Sequence, residues 1–241
     1  MRYAIISDIH GNLQALQEVL SLIGRQEVDR IVCLGDIVGY GADPSACIDL
    51  VRKECCSVIM GNHDAAAVGL TSIEYFNPVA REAALWTGKV LTDEQREYLS
   101  QLPYKGVFED FDIVHSTPDQ PELWRYLMQA DNAGPLFSYF TSQILFYGHT
   151  HVPMVFRYEE SCASYCEPAD FCLENEKRYI VNVGSVGQPR DFDPRASFVV
   201  FDSRGKRVSY HRQTYDLAEA QERIIRNGLP PVLAARLSYG R

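Results

Sequence analysis

Five of the six histidines in this chain, His10, His63, His115, His149 and His151, stand in short motifs flanked by Asp, Asn or Gly, each directly behind an apolar run that reads as a strand. The motifs are Asp8-Ile9-His10-Gly11-Asn12, Gly35-Asp36, Gly61-Asn62-His63-Asp64, Ile113-Val114-His115 and Gly148-His149-Thr150-His151. Open α/β sheets place their ligands in the crevice past the carboxyl ends of strands, where the loops diverge. A fold that honours this pattern must therefore bring five such loops to one end of its sheets.

The rest of the chain specifies which sheets. Arg2 to Ser7 reads as a strand, and Asn12 to Ile23 then spaces Leu13, Leu16, Val19, Leu20 and Ile23 as one helix face. The β-loop-α unit recurs as Arg30 to Leu34, the loop Gly35 to Gly41, and a helix opening at Asp43-Pro44-Ser45, where Asp caps and Pro suits the first helical position. Ser57 to Met60 is a third strand. Asp64 to Leu102 is helical, with a turn at Asn77-Pro78 and a capping box at Thr92-Asp93-Glu94-Gln95.

Strands then return as a hairpin, Tyr104 to Phe108 and Phe111 to His115, followed by Ile144 to Tyr147, Met154 to Tyr158, Tyr179 to Val183, Ser197 to Asp202 and Arg207 to Arg212. A helix closes the pattern from Asp216 to Arg226. Helix-alternating strands early and hairpin-like strands late predict a four-layer α/β/β/α sandwich, two packed mixed sheets flanked by helices. No repeat or linker divides the chain, so one domain is expected over residues 1–241. The stretch Glu159 to Lys177, with Cys162, Cys166 and Cys172, is long for a hairpin loop and reads either as a lid over the site or as a peripheral insertion.

Composition narrows the class. With 46% hydrophobic and 23% charged residues the chain is typical of globular proteins, and no apolar run approaches the ~18 residues of a membrane span. The first strand begins by Tyr3, which leaves no room for a cleavable signal and points to the cytoplasm. A net charge of −9 disfavours a stable nucleic-acid complex through phosphate contacts. Seven cysteines without a C-x-x-C pair indicate neither a disulfide framework nor a zinc knuckle.

The motifs together supply imidazole, carboxylate and amide ligands for two adjacent divalent metals, the equipment of metal-assisted hydrolysis. Their order, Asp-x-His, Gly-Asp, Gly-Asn-His-Asp, His, Gly-His-x-His, resembles the calcineurin-like metallophosphoesterases from Asp8 to His151, and Asn182 to Arg190 resembles a stretch in a bacterial branch of that superfamily. The resemblance implies that Asp8, His10 and His151 hold one metal, that Asn62, His115 and His149 hold the other, and that Asp36 bridges both. Carboxylate bridging suits a metal separation of ~3.5–4 Å and in-line phosphoryl displacement by a bridging hydroxide. Two divalent ions against Asp8 and Asp36 leave the site about two charges positive, which favours a small anionic phosphate mono- or diester, a nucleotide among them. Manganese, iron, zinc, cobalt and nickel all suit the ligand set.

In the family, the histidine matching His63 faces the substrate and stabilises the transition state or protonates the leaving oxygen. Asp64 either orients His63 through a carboxylate–imidazole hydrogen bond or caps the helix that follows. Asn12 fits both a place beside the substrate and a helix N-cap. Arg190 reads as a bidentate phosphate clamp or as a surface ion pair with Asp191 or Asp193. The serine/threonine phosphatases of the superfamily carry an Arg in the loop after Gly-Asp and a Glu after Gly-Asn-His. This chain has neither, which weakens a phosphoprotein or diadenosine tetraphosphate substrate. A scaffold protein on the same fold is the non-enzymatic alternative, and His63 with a complete ligand set argues against it.

Overall fold

The computed structural model describes residues 1–241. Its first quarter alternates strand and helix: β1 (Arg2–Ile6), α1 (Leu13–Gly24), β2 (Arg30–Cys33), α2 (Pro44–Glu54) and β3 (Cys55–Val58). The helical connections make these strands parallel. Three helices follow, α3 (Asn62–Ala67), α4 (Pro78–Val90) and α5 (Asp93–Ser100), then the hairpin of β4 (Lys105–Val107) and β5 (Asp112–Val114). The short α6 (Ala130–Ala133) precedes β6 (Ile144–Tyr147), β7 (Met154–Glu159), β8 (Cys162–Cys166), β9 (Phe171–Cys172), β10 (Arg178–Asn182), β11 (Ala196–Asp202) and β12 (Arg207–Gln213). The chain closes with α7 (Leu217–Arg226) and α8 (Pro231–Leu237).

The strands form two six-stranded mixed sheets, ordered β3-β2-β1-β11-β12-β9 and β4-β5-β6-β10-β7-β8. Between them lies a core that includes Ile5, Val32, Phe111, Phe146, Val181, Val199 and Phe201. Burial of each such side chain contributes ~1.5–3 kcal/mol, so sheet-on-sheet packing is a major adhesive of the fold. The first sheet's outer face is covered by Leu16 and Val19 of α1 and Ile48 and Val51 of α2. The second sheet's outer face is covered by Leu136, Phe137 and the α6 region. The order helix, sheet, sheet, helix is the predicted four-layer sandwich.

Three local expectations change. Asp43 stands at the N-cap of α2, yet its carboxylate makes no cap bond because Arg223 of α7 engages it, Nε donating to Oδ2 at 2.6 Å. The helical stretch after Asp64 is broken by more than one turn: α3 ends at Ala67, Gly69 sits at φ +77°, and the chain stays irregular until Asn77 caps α4.

The lid is the third. Residues 159–177 are woven into both sheets, with β8 on the edge of the second beside β7 and β9 paired to β12 on the edge of the first. The pairing of Glu159 with Cys162 closes that hairpin at the far end of the strands from His151, since Asn182 pairs with Met154 at the near end and Arg178 with Tyr158 at the far end. The segment's polar, half-exposed residues carry too little apolar alternation to announce edge strands.

Candidate metal centre

The loops after β1, β2, β3, β5 and β6 meet at one end of the two sheets, and the backbone there is unusual. Asp8, His10, Asp36, His149 and His151 adopt φ of 54°, 51°, 51°, 66° and 61°. Non-glycine residues enter this left-handed region at a cost of ~1–3 kcal/mol each and remain only where neighbours over-determine them. The neighbours are identifiable. Asp8 N donates to Gly35 O at 3.0 Å, His10 N to Asp36 O at 2.9 Å and Gly11 N to Ile37 O at 2.9 Å, so the first two loops are zipped together. His149 N donates to Asp8 Oδ2 at 3.0 Å.

The Asn182–Arg190 stretch is the strut behind these loops. Asn182 Nδ2 donates to Gly148 O at 2.6 Å, Ser185 Oγ to Asp8 O at 2.8 Å, and Asn12 Nδ2 to Gly187 O at 2.9 Å. Gly61 permits a close approach to the shared carboxylate, since a Cβ there would fall 2.1 Å from Asp36 Oδ1.

Each of the four imidazoles expected to bind metal is aimed by a main-chain carbonyl. Nδ1 donates to Val38 O in His10 (3.0 Å), to Leu34 O in His115 (2.8 Å) and to Gln188 O in His151 (2.6 Å), while His149 uses Nε2 toward Trp124 O (2.8 Å). A carbonyl can only accept, so each ring's other nitrogen presents a lone pair to the centre when neutral. Nε2 of His10 and Nε2 of His151 then face one another at 3.0 Å, lone pair to lone pair, an arrangement that needs a cation or a proton between them. Asp36 Oδ2, buried and without a hydrogen-bond partner, lies 3.5 Å from His10 Nε2 and 3.4 Å from His115 Nε2.

Asp8, His10, Asp36 and His151 thus form one set of converging donors and Asp36, His115 and His149 a second, with Asp36 in both. Asn62 Oδ1 joins the second set, 3.3 Å from His115 Nε2. These donors fit divalent cations. Burial by itself would raise the Asp8 and Asp36 carboxyls, but His151 and His115 respectively outweigh it and hold both well below the usual range. Burial likewise lowers His10 and takes His149 down to about 3, whereas at His115 Asp36 overcomes burial and pushes the imidazole up to about 9.

His63 lines the cleft beside this centre, its ring 4.9 Å from that of His10 and 4.4 Å from that of Tyr40. Its Nδ1 is buried with no partner and sits where a Cβ on Gly39 would lie 2.5 Å away, so a residue larger than glycine would displace the ring. Burial, reinforced by the Arg190 charge and opposed by Asp36, lowers His63 to about 4.

Asp64 does not touch the His63 ring, which corrects its placement as a catalytic residue. Its Oδ1 accepts from Ile37 N (2.9 Å) and Val38 N (3.2 Å) and its Oδ2 from Gly61 N (3.1 Å), tying the Asp36 loop to the start of α3. Asn12 is corrected likewise. Its Oδ1 caps α1 through Ala15 N at 3.1 Å and its Nδ2 donates to Gly187 O at 2.9 Å, so the side chain ties the start of α1 to the strut behind the loops. Arg190 is the reverse case, because Asp191 and Asp193 are taken by Arg212 and Arg195 and its guanidinium stays unpaired.

A cleft of about 440 Å³ opens from Asn62, His63 and His149 and is walled by Tyr40, Tyr75, Phe76, Trp124 and Tyr126. Tyr126 stacks on His149 at 4.2 Å while remaining 59% exposed, and Tyr75 is 92% exposed. Of this wall the sequence pointed only to Tyr40, through its place in the loop after Asp36; Tyr75, Phe76, Trp124 and Tyr126 lie in irregular segments without periodicity. The left-handed Trp124 (φ 53°), whose carbonyl aims His149, was equally silent.

The description calcineurin-like phosphoesterase superfamily domain belongs to the family model that matches residues 1–206. An uncharacterized protein of Methanocaldococcus jannaschii is 40% identical over 244 residues, covering 99% of this chain and 98% of its own. The crystal structure of a metallophosphoesterase from Sphaerobacter thermophilus superposes with a TM-score of 0.89 at 42% identity, covering 100% of this chain and 99% of that one. A hypothetical protein from Pyrococcus horikoshii OT3 shares the fold at a TM-score of 0.80 and 21% identity, over 100% of this chain and 98% of its own. Two sheets whose loops converge on shared Asp and His donors, together with these likenesses, establish that the chain belongs to the calcineurin-like phosphoesterase superfamily, whose metallophosphoesterases use divalent metals.

Proposed function

We propose that the protein is a dinuclear metal-dependent hydrolase of small phosphate mono- or diesters, nucleotides among them. The observation that carries this is the pair of donor sets sharing Asp36, with the imidazole nitrogens of His10 and His151 opposed at 3.0 Å. Asp8, His10 and His151 would hold one cation, Asn62, His115 and His149 the other, and Asp36 both. When bound, the metals supply an activated water and Lewis-acid stabilisation of the phosphoryl oxygens.

The protein's own groups do the rest. His63, neutral when its pKa is lowered to about 4, is suited to donating a hydrogen bond to the reacting phosphoryl group in the free protein's protonation state. Carbonyl-fixed rings prevent the ligands from reorganising as charge develops. The aromatic cleft at His149 favours an ester whose organic part is flat, because stacked rings contribute ~0.5–1.5 kcal/mol beyond their buried area.

The test is a hydrolysis screen of metal-stripped protein reloaded with manganese, iron, zinc, cobalt or nickel, on nitrophenyl phosphate, bis(nitrophenyl) phosphate and nucleotides. Cleavage should depend on metal and vanish with chelator. A folded, metal-loaded protein that cleaves none of them overturns the proposal.

A further inference from the structure

Residues 207–241 lie beyond the part matched by the family model, and they bring an arginine to the edge of the site. Helix α8 seats Leu233, Ala234 and Leu237 against Tyr40 and Ala42. That packing places the Arg236 guanidinium carbon 5.7 Å from the Tyr40 ring centroid, and Arg190 stands at the same 5.7 Å. The two cations are therefore no farther apart than about twice that distance. The Tyr40 ring is itself 4.8 Å from the His10 ring.

Neither arginine has an Asp or Glu carboxylate within ion-pairing distance, whereas Arg195, Arg212, Arg223 and Arg226 are each paired with one. Arg190 Nη2 donates to Gln188 Oε1 at 3.0 Å and to Tyr40 Oη at 3.4 Å, and its Nε is buried with no partner. Arg236 Nε donates to a terminal carboxylate oxygen of Arg241, the last residue of the chain, while its two Nη nitrogens have no protein partner and remain available to an anion. Two half-buried like charges held against one ring repel each other, and the arrangement becomes favourable when an anion with several oxygens accepts from both. The position is specific. Gln188, which holds Arg190, also holds His151 through its carbonyl, so the pair borders the His10 and His151 side of the centre, across Tyr40 from the aromatic cleft.

We infer that Arg190 and Arg236 form a second anion site that takes a phosphate other than the one cleaved, so the preferred substrate carries two phosphate groups. This rests on the phosphoesterase proposal, but it is tested by binding and needs no turnover. The probes are methylenediphosphonate and methylphosphonate, titrated calorimetrically into metal-loaded protein whose metal content is checked before and after. Both probes meet the metals, so the informative quantity is the ratio of their affinities in each variant.

Loss of a hydrogen-bonding cation should lower that ratio about 10- to 100-fold in Arg190→Gln and in Arg236→Gln. Arg236→Lys, which retains the charge, should recover part of it. Arg226→Gln, on the exposed face of α7, should keep the wild-type ratio. An unchanged ratio in both glutamine variants overturns the inference, as does an equal fall in Arg226→Gln. An intact, arginine-dependent ratio in a protein that hydrolyses nothing would instead count against the hydrolase proposal alone.

Discussion

Removing the Asp64 carboxylate is the sharpest test of how the centre is held together. The group is fully buried and accepts three main-chain amides at 2.9, 3.2 and 3.1 Å, two from the loop after Asp36 and one from Gly61. Hydrogen bonds to a charged group contribute ~1.5–3 kcal/mol each. They are not additive here because all three share one acceptor, so Asp64→Ala should cost about 4 kcal/mol instead of the simple total. Asp64→Asn keeps an acceptor for Ile37 and Val38 but turns an NH2 toward the Gly61 amide, and should cost about 2 kcal/mol.

For a chain of this size each kcal/mol lowers Tm by ~2–4 °C, so the alanine variant should melt about 8–16 °C below the wild type. The assay is thermal and urea unfolding of metal-free protein, which removes the stabilisation that bound metal adds by mass action. Burial beside Asp36 raises the Asp64 carboxyl, so about pH 8 is chosen to keep the acceptor ionised. A variant within 1 kcal/mol of wild type that nonetheless loses turnover would refute the bracing role and return Asp64 to His63.

Three further outcomes follow from the same geometry. Asp36→Asn should lower metal content at both positions while His115→Ala chiefly empties one, and elemental analysis showing two metals retained in Asp36→Asn with normal activity would contradict the shared ligand. His63→Ala should keep both metals yet lose ~10²–10⁴ in turnover. Since burial keeps the ring neutral, the loss should be similar for nitrophenyl and alkyl leaving groups, and a loss confined to poor leaving groups would establish proton transfer instead. Metal binding should release protons: His115, pushed up to about 9 in the metal-free protein, is protonated below that pH and must be neutral to coordinate. Metal affinity should therefore climb as pH rises toward about 9 and then level off, which calorimetry in buffers of different ionisation enthalpy would detect as proton release; no release at neutral pH would refute it.

All strands except β8 and β9, the helices α1, α2 and α7, the capping box at Thr92 and the two-sheet layering were legible because period and end signals are local properties of the chain. So were the seven converging residues, since each follows a strand and strand ends must cluster in such a fold. What side chains do once clustered was not legible. Asp64 and Asn12 carry the same chemistry whether they face substrate or brace a loop, and only the tertiary partners Ile37, Val38, Gly61 and Gly187 decide between them. Arg190 was freed because Arg212 and Arg195 reached Asp191 and Asp193 first.

The aromatic wall and Arg236 come from irregular or terminal segments whose composition has no periodicity to read, and the latter is positioned by the packing of α8 on Tyr40. Sequence alone thus determined which elements form and which ligand types they carry, because those depend on neighbours along the chain. Tertiary structure decided which polar groups remain unpaired and face the centre, because that depends on competition among residues far apart in sequence for a limited set of buried partners.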